Sequence, residues 1–463
     1  MLNWTFAFGG ICIVNLGWIF LRLAIGLALL TLLVLSQRFW YRAIWRFASH
    51  LRHAWMRVSV RLLWLAMLAL TVSAFADALR MSQQHLIPRG TIFPSLLGLW
   101  YFSAAFAYIS VKAIHGFERL WRWLHYSSTF QTQAPPQGVP LAKTRTLMPA
   151  DPVDFVADPS RRYFFRSATA FAGAAPFLTA LYGFAAERLR YQVHRVEIPI
   201  ANLPPALDGL RIAQLSDIHL SGYMSREDVR RAVDMANELS ADLAVVTGDF
   251  ITGAGDPIAD CIEELRQMRA PLGIWGCNGN HEIYAKAEAT AEFLFAQAGM
   301  KLLRQENAQL SFNGAPFNLI GVDYQRERTP NGGRLKMLSH IEPLVRRDVP
   351  NILLSHNPNA FNRAAELGIE LTLSGHTHGG QVKVEILDHS FSPARFITDY
   401  IAGLYHRPLF APSQPVVSGS FLPTSNLQSQ TSALYVNRGL GTVGAPVRLG
   451  VPPEITLLTL RRA

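Results

Sequence analysis

Five short clusters of aspartate, histidine and asparagine carry most of the chemistry this chain could do. They are Asp217-Ile218-His219, Gly248-Asp249, Gly279-Asn280-His281-Glu282, Ser355-His356 and Gly375-His376-Thr377-His378. Carboxylate, imidazole and amide oxygen are the ligand set for hard-to-borderline divalent cations, not for thiophilic ones. Asp217, His219, Asp249, Asn280, His356, His376 and His378 offer seven side-chain donors. One ion takes about four to six ligands, so seven suit two ions sharing a bridging carboxylate. Such a pair can activate water and hold the oxygens of an in-line phosphoryl displacement. In Asp-x-His and His-x-His the ligands stand two residues apart, and on an extended segment both side chains then point the same way.

Donors this far apart in sequence act together only if the fold gathers them. Each cluster lies at or just after the end of a short apolar run. Residues 211–215, 243–247, 272–277, 318–322, 352–355 and 371–374 read as buried strands. Between them, 226–239 is an amphipathic helix with Val229, Ala232, Val233, Ala236 and Leu239 on one face, opened by a Ser225–Asp228 capping box. Asp256 and Pro257 fit the N-cap and first turn of the next helix. Residues 434–436 and 455–460 read as closing strands. The alternation argues an α/β domain, whose ligands collect at the carboxyl ends of strands.

In this order the clusters resemble the five-part signature of the calcineurin-like metallophosphoesterases, over about residues 195–463. Leu215 to His219, the run 374–381 and Asn437-Arg438-Gly439-Leu440-Gly441 resemble a bacterial subgroup with a membrane- or export-linked N-terminus. The resemblance implies a two-sheet β-sandwich flanked by helices. It implies that Asp217, His219 and His378 bind one ion, that Asn280, His356 and His376 bind a second, and that Asp249 bridges them. His281 would then lie over the substrate and protonate the leaving oxygen, as suits a histidine whose pKa lies near working pH. Glu282 would support the ligands from behind. Arg438 is read either as a contact to substrate phosphate or as a structural salt bridge, and Asp323 either as a support of the site or as a turn. The implied cofactors are two divalent ions, Mn, Fe or Zn. The expected reaction is hydrolysis of a phosphoester or pyrophosphate through a metal-bridging hydroxide. A lipid-linked nucleotide pyrophosphatase of envelope lipid synthesis is one alternative. A non-catalytic metal-binding membrane sensor or transporter is another, which the intact ligand set and His281 argue against. A Pro- and Ser-rich stretch, 406–430, departs from the family pattern and reads as a loop near the site mouth.

The N-terminal part of the chain is of a different kind. The 463 residues are 50% hydrophobic and only 16% charged, against roughly 25% charged in an ordinary soluble protein. Apolar stretches lie near 16–35, 62–76, 92–114 and 163–186. A spanning helix needs about 20 such residues, and the second stretch is short. Arg38, Arg42, Arg46, Arg52 and Arg57 follow the first stretch, only Arg80 and Arg89 the second, and Arg119, Arg122, Lys143, Arg145, Arg161 and Arg162 the third. By the positive-inside rule the first and third loops are cytoplasmic. The expected organisation is a transmembrane helical region, 1–130, with about three spans, a Pro-rich linker, 131–160, a fourth membrane or signal-like segment, 161–190, and a metallophosphoesterase domain, 191–463. All-α spans thus precede the α/β unit in a multi-pass inner-membrane protein whose catalytic domain lies outside the cytoplasm. The run Ser160-Arg161-Arg162-Tyr163-Phe164-Phe165-Arg166 resembles a twin-arginine export signal, with two arginines flanking a span as the plainer reading.

The net charge of +10 is explained by these loop arginines. No basic, aromatic-interleaved tract accompanies the clusters, so nucleic acid is not an expected partner, and a phosphorylated substrate, soluble or lipid-linked, is. Cys12, Cys261 and Cys277 form no CxxC pair or even-numbered framework and read as small packed hydrophobes.

Overall fold

Long apolar runs satisfy their backbone groups internally by coiling, which is what a bilayer requires. In the computed structural model, which describes residues 16–82, 92–128, 159–326, 336–386, 389–396, 398–409 and 431–463, four long helices come first. They are α1 (Leu16–Ser49), α2 (Ala54–Ser82), α3 (Ile92–Ser128) and α4 (Pro159–Ala185). Apolar stretches of membrane-spanning length are Ala24–Ser49, Leu97–Trp121 and Tyr163–Leu189. Among the described residues α2 holds none, in keeping with its shorter apolar run. Leu29, Leu30, Phe102, Phe106, Phe171 and Leu178 are exposed, as suits helices whose neighbours are acyl chains. Inside this helical body the indole N–H of Trp40 donates to the Ala104 carbonyl (3.0 Å) and that of Trp100 to Gln37 Oε1 (3.1 Å). Cys12, His85 and nearly all of the Pro-rich linker lie outside the described residues.

The α/β body begins with β1 (Gln192–Ile200), β2 (Arg211–Leu215), α5 (Arg226–Asn237), β3 (Leu243–Val246), α6 (Ile258–Leu265) and β4 (Ile274–Gly276). It continues with α7 (Asn280–Ala285), α8 (Glu288–Gln297), β5 (Lys301–Leu302), β6 (Glu306–Phe312), β7 (Ala315–Val322), β8 (Asn351–Ser355) and α9 (Phe361–Glu366). It ends with β9 (Leu371–Ser374), β10 (Val384–Ile386), β11 (His389–Phe391), β12 (Gly403–Pro408), β13 (Thr431–Val436) and β14 (Glu454–Arg462). One mixed sheet runs β1-β14-β2-β3-β4-β5, and the other β12-β13-β9-β8-β7-β6. Strand parity separates three apolar layers. Ile212, Leu243, Val245, Leu319, Ile352, Leu354, Leu373 and Leu458 fill the space between the sheets. Ala213, Leu215, Ala244 and Val246 face α5, α6 and α8, while Ile320, Val322 and Leu353 pack outward against α9. The result is two mixed sheets flanked by helices. Cys261 and Cys277 are wholly buried packing residues.

The capping box at α5 is present: Ser225 Oγ accepts from Asp228 N (3.2 Å) and Asp228 Oδ2 from Ser225 N (3.1 Å). Asp256 departs from the expected N-cap. Its carboxylate turns back to accept from Thr252 N (3.0 Å) and Gly253 N (2.8 Å), because that loop exposes two unpaired amides. Residues 403–408, part of which read as loop, form the edge strand β12, and 410–430 lie outside the described residues.

Glu264 ties α6 to α5. Its fully buried carboxylate accepts from Arg226 NH2 (2.7 Å) and from Arg230 Nε (2.9 Å) and NH2 (2.9 Å), and these guanidiniums, Arg230 foremost, hold it below the usual carboxylate range. A depressed folded value contributes stability above the unfolded pKa, about 4.3, and that stability is lost as pH falls through the folded value. Glu264→Ala should therefore lower stability by about 1–3 kcal/mol at neutral pH and by less below about pH 4. Thermal unfolding of the detergent-solubilised chain at both pH values checks this.

Candidate metal centre

Five turns at the carboxyl ends of strands place the chemistry. Asp217 and His219 follow β2, Asp249 follows β3, Asn280 and His281 open α7 after β4, His356 follows β8, and His376 and His378 follow β9. The turns are not extended. Asp217, His219, Asp249, His376 and His378 have φ of 49°, 51°, 55°, 77° and 52°. The expectation that Asp-x-His and His-x-His converge by strand alternation is therefore corrected: both use left-handed backbone instead. Non-glycine residues there cost of order 1–3 kcal/mol each and persist only where the surroundings impose them. The chain is imposed on by neighbouring turns: Asp217 N donates to the Gly248 carbonyl (3.0 Å) and His219 N to that of Asp249 (3.0 Å).

Two glycine positions explain why the turns can meet. A Cβ on Gly279 would stand 2.1 Å from Asp249 Oδ1, and one on Gly248 would stand 2.5 Å from Gly279 N. Only bare backbone allows the Gly-Asp and Gly-Asn turns to touch.

Six of the seven expected ligands lie in one largely buried cluster, and Asn280 opens α7 beside His281. Three trios each bring their ligand atoms within 4.8 Å of one another: Asp217 with His219 and His378, Asp249 with His356 and His376, and His219 with Asp249 and His281. Asp249 thus shares a trio with ligands of both sets. Asn280 begins α7 between Gly279 and His281, whose backbone N donates to Asp249 Oδ1 (2.9 Å), and its buried Oδ1 has no hydrogen-bond partner in the protein.

Backbone carbonyls fix the rings. His356 Nδ1 donates to Thr247 O (2.6 Å), His219 Nδ1 to Ile251 O (3.2 Å) and His281 Nδ1 to Thr252 O (2.5 Å). This holds each Nδ1 protonated and turns Nε2 away from the carbonyl. His219 Nε2 then faces His378 Nε2 at 3.2 Å and Asp249 Oδ2 at 3.5 Å, and His356 Nε2 faces Asp249 Oδ2 at 3.0 Å. His378 Nε2 lies 3.3 Å from Asp217 Oδ1. His219 Nε2 and Asp249 Oδ2 are two acceptors 3.5 Å apart in a buried place, a juxtaposition that a cation relieves, and the imidazole and carboxylate donors gathered here fit a metal centre.

The ionisation of the groups agrees. Burial pushes His219 down to about 3 and His376 to about 4, and drives His378 well below the usual range, so these rings are neutral at neutral pH. Burial also lowers His356, but Asp249 and Asp217 outweigh it and raise the ring to about 10. Burial opposes the charge of Asp249 too, yet His356 and His219 hold it well below the carboxylate range, while burial lifts Asp217 to about 6. The two carboxylates demand positive charge beside them.

Glu282 is fully buried, and its carboxylate accepts from the backbone N–H of Asp249 (2.9 Å), Phe250 (2.8 Å), Ile251 (3.3 Å) and Gly279 (2.8 Å). It fastens the turn after β3 to the turn after β4. Asp323 accepts from Asn278 Nδ2 (2.7 Å) and pairs with Arg304 (3.0 Å). Arg438 Nε pairs with Glu454 (3.3 Å), so the salt bridge that the sequence also allowed is present. Sequence reasoning missed Arg448. It is wholly buried and donates to the carbonyls of Arg438 (2.9 Å), Gly439 (2.9 Å), Gly441 (2.6 Å) and Val451 (3.2 Å). The loop it holds backs the site, since a Cβ on Gly439 would stand 2.5 Å from Asp217 Cβ. No local pattern marks Arg448; only the glycines of 439–441 hint that a close approach needs bracing. A cavity of about 390 Å³ lined by Pro350 and Glu370, which precede β8 and β9, shares no residue with this cluster.

Comparison with known proteins accords with this geometry. The family description "Calcineurin-like phosphoesterase" matches residues 210–380. The chain is 31% identical over 310 residues to the uncharacterized metallophosphoesterase YkuE of Bacillus subtilis, spanning 65% of this chain and 98% of that one. This chain belongs to the calcineurin-like phosphoesterase family. It is also 32% identical over 285 residues to a transmembrane protein with metallophosphoesterase domain of Bos taurus, covering 58% of this chain and 57% of that protein. A 27% identity over 335 residues links it to the UDP-2,3-diacylglucosamine pyrophosphatase LpxG of Chlamydia trachomatis, covering 62% of this chain and 94% of LpxG. The chain thus spans little more than half the length of the bovine relative. Its membrane-length helices and its transmembrane relatives support membrane association of this chain.

Removing the Glu282 carboxylate orphans four amides. Glu282→Ala should destabilise the protein by about 2–4 kcal/mol and reduce the divalent metal it retains. Unchanged melting temperature and metal content would show that the two turns hold their places without it.

Proposed function

We propose that this phosphoesterase holds two divalent ions and hydrolyses a phosphoester or pyrophosphate bond beside a membrane. The observation that carries the reading is the convergence of imidazole and carboxylate donors in three linked trios, each with its ligand atoms within 4.8 Å of one another, two of which meet at Asp249. Asp217, His219 and His378 would hold one ion and Asn280, His356 and His376 the other, with Asp249 shared. Mn²⁺, Fe and Zn²⁺ all accept this mixture of imidazole and carboxylate. When bound, such ions supply a water nucleophile at neutral pH and offset the charge of the phosphoryl oxygens.

The protein's own groups do the rest. His281 is half-buried, and its Nδ1 is committed to the Thr252 carbonyl, so Nε2 is the atom that would pass a proton to the leaving oxygen. Asp256 anchors the amides of Thr252 and Gly253 and so keeps that carbonyl in place. A more specific reading is that the substrate is a lipid-linked nucleotide pyrophosphate. The likeness to LpxG along 94% of that protein's length and the membrane-length helices favour it.

In the full, detergent-solubilised chain, Asp249→Asn should lose bound divalent metal and slow turnover of a chromogenic phosphodiester by at least roughly 10²-fold. His281→Ala should keep the metal, lose roughly 10²- to 10⁴-fold and suffer less with p-nitrophenolate than with an alkoxide leaving group. Wild-type metal content and turnover in Asp249→Asn would remove the shared-ligand role.

We also propose that the chain is a multi-pass inner-membrane protein whose catalytic body lies outside the cytoplasm, supported by the arginines that follow the first and third apolar stretches. A C-terminal reporter active only outside the cytoplasm should then be active, and one active only inside should be silent. The reverse pattern would place the site in the cytoplasm.

A further inference from the structure

The segment that leaves β7 runs along the rim of the metal cluster, and it is pinned at alternate residues. Asp323 accepts from Asn278 Nδ2 at 2.7 Å, and the Gln325 carbonyl accepts from Asn357 Nδ2 at 2.9 Å. Tyr324 and Arg326 fall on the other parity. The Tyr324 ring lies 5.3 Å from that of His376 and 6.1 Å from that of His356. Arg326 is exposed, and its guanidinium carbon sits 5.3 Å over the ring of Tyr284. Tyr284 in turn lies 5.9 Å from the ring of His281 and is 46% exposed. One aromatic ring therefore lies between His281 and this guanidinium, which has no hydrogen-bond or ion-pair partner among the described residues. Other arginines of this face are committed: Arg304 to Asp323 and Glu292, and Arg438 to Glu454. Arg326 is held by the face of an aromatic ring, which orders the planar fork but leaves its N–H donors unspent.

We propose that Arg326, stacked on Tyr284, binds a second phosphoryl group attached to the one that reacts, and so makes this site prefer substrates with two linked phosphoryl groups. The inference deepens the phosphoesterase reading and rests on its placing the reacting phosphoryl beside His281. The chemistry is that of the fork: a guanidinium offers two parallel donors that match two oxygens of a phosphoryl group, which a monoester cannot present at that distance from the reacting centre. The ring beneath lowers the entropy lost when the fork engages, since the side chain is already ordered.

Calorimetric titration of the full, metal-loaded chain in detergent tests this with two non-hydrolysable probes, methylphosphonate and methylenebisphosphonate, in excess divalent metal. Arg326→Ala should weaken bisphosphonate by roughly 10- to 100-fold, the effect of losing a charged hydrogen-bonded contact, and shift methylphosphonate by less than about threefold. Arg326→Lys should recover only part, because a point charge lacks the fork. Equal weakening of both probes, or none for bisphosphonate, would overturn the proposal. Turnover of a chromogenic phosphodiester, measured in parallel on the wild type, reports separately on the hydrolase reading. A wild type that binds bisphosphonate through Arg326 without hydrolysing the ester would sink that reading and leave this one standing.

Discussion

A buried set of electron-pair donors that face one another is the constraint on which the rest of this structure depends. The bare Nε2 of His219 and the Asp249 carboxylate oxygen, 3.5 Å apart, repel in a place where water cannot screen them. A chain left to itself would turn these groups outward. It does not, because the rings of His219, His281 and His356 are fixed from behind by backbone carbonyls, and the Asp217 and Asp249 carboxylates by backbone amides. Asp217, for example, accepts from His376 N at 2.9 Å and from Ser216 Oγ at 2.6 Å. The ligands are therefore assembled by the fold rather than by the ion, and binding the ion relieves a repulsion that folding has built.

That repulsion, and the left-handed backbone of five ligands, must be offset elsewhere, and the offsets can be located. Glu282 closes four amides of two turns with one carboxylate. A second device lies across the sheets, where the Glu454 carboxylate accepts from Tyr435 Oη and Thr456 Oγ1, both at 2.5 Å, and pairs with Arg438. Asn437 completes it, donating to Thr456 Oγ1 (2.8 Å) and accepting from Gly439 N (2.7 Å). Both networks are buried and each polar hub has several partners, the condition under which buried polar groups specify a structure rather than weaken it. β14, the last strand, pairs between β1 and β2. The loop behind Asp217 is thus braced only once the C-terminal segment is in place.

What the sequence disclosed follows from the physics of each signal. Uninterrupted apolar runs marked the central strands, and β2 and β9 fall on the residues expected, because strands buried on both faces leave no alternative periodicity. The edge strands β6 and β12 were hidden, since one exposed face admits Glu306, Gln309 and Arg407 and erases the pattern. The five clusters were legible as a set because each places metal-ligand residue types at the end of a short apolar run. The conformation of those turns was not legible: positive φ at Asp217, His219, Asp249, His376 and His378 comes from hydrogen bonds between turns distant in sequence. The anchoring of Asp256 to Thr252 and the burial of Arg448 escaped for the same reason, since their partners are backbone groups that no side-chain pattern announces.

Arg448 shows how a cation can support a cation-binding site without competing for its ligands. A guanidinium buried near Asp217 would ordinarily pair with that carboxylate and neutralise it. Here its donors go to the carbonyls of Arg438, Gly439, Gly441 and Val451, and burial draws its pKa down to about 10 while leaving it charged at neutral pH. Carbonyl dipoles satisfy the donors but take no formal charge from the ligand set. Neither aspartate is paired with this guanidinium, and the loop carrying Gly439 and Gly441 is held against the turn of Asp217 and His219 by the same contacts. Lysine, with three donors on one nitrogen, could not reach four carbonyls spread along a loop.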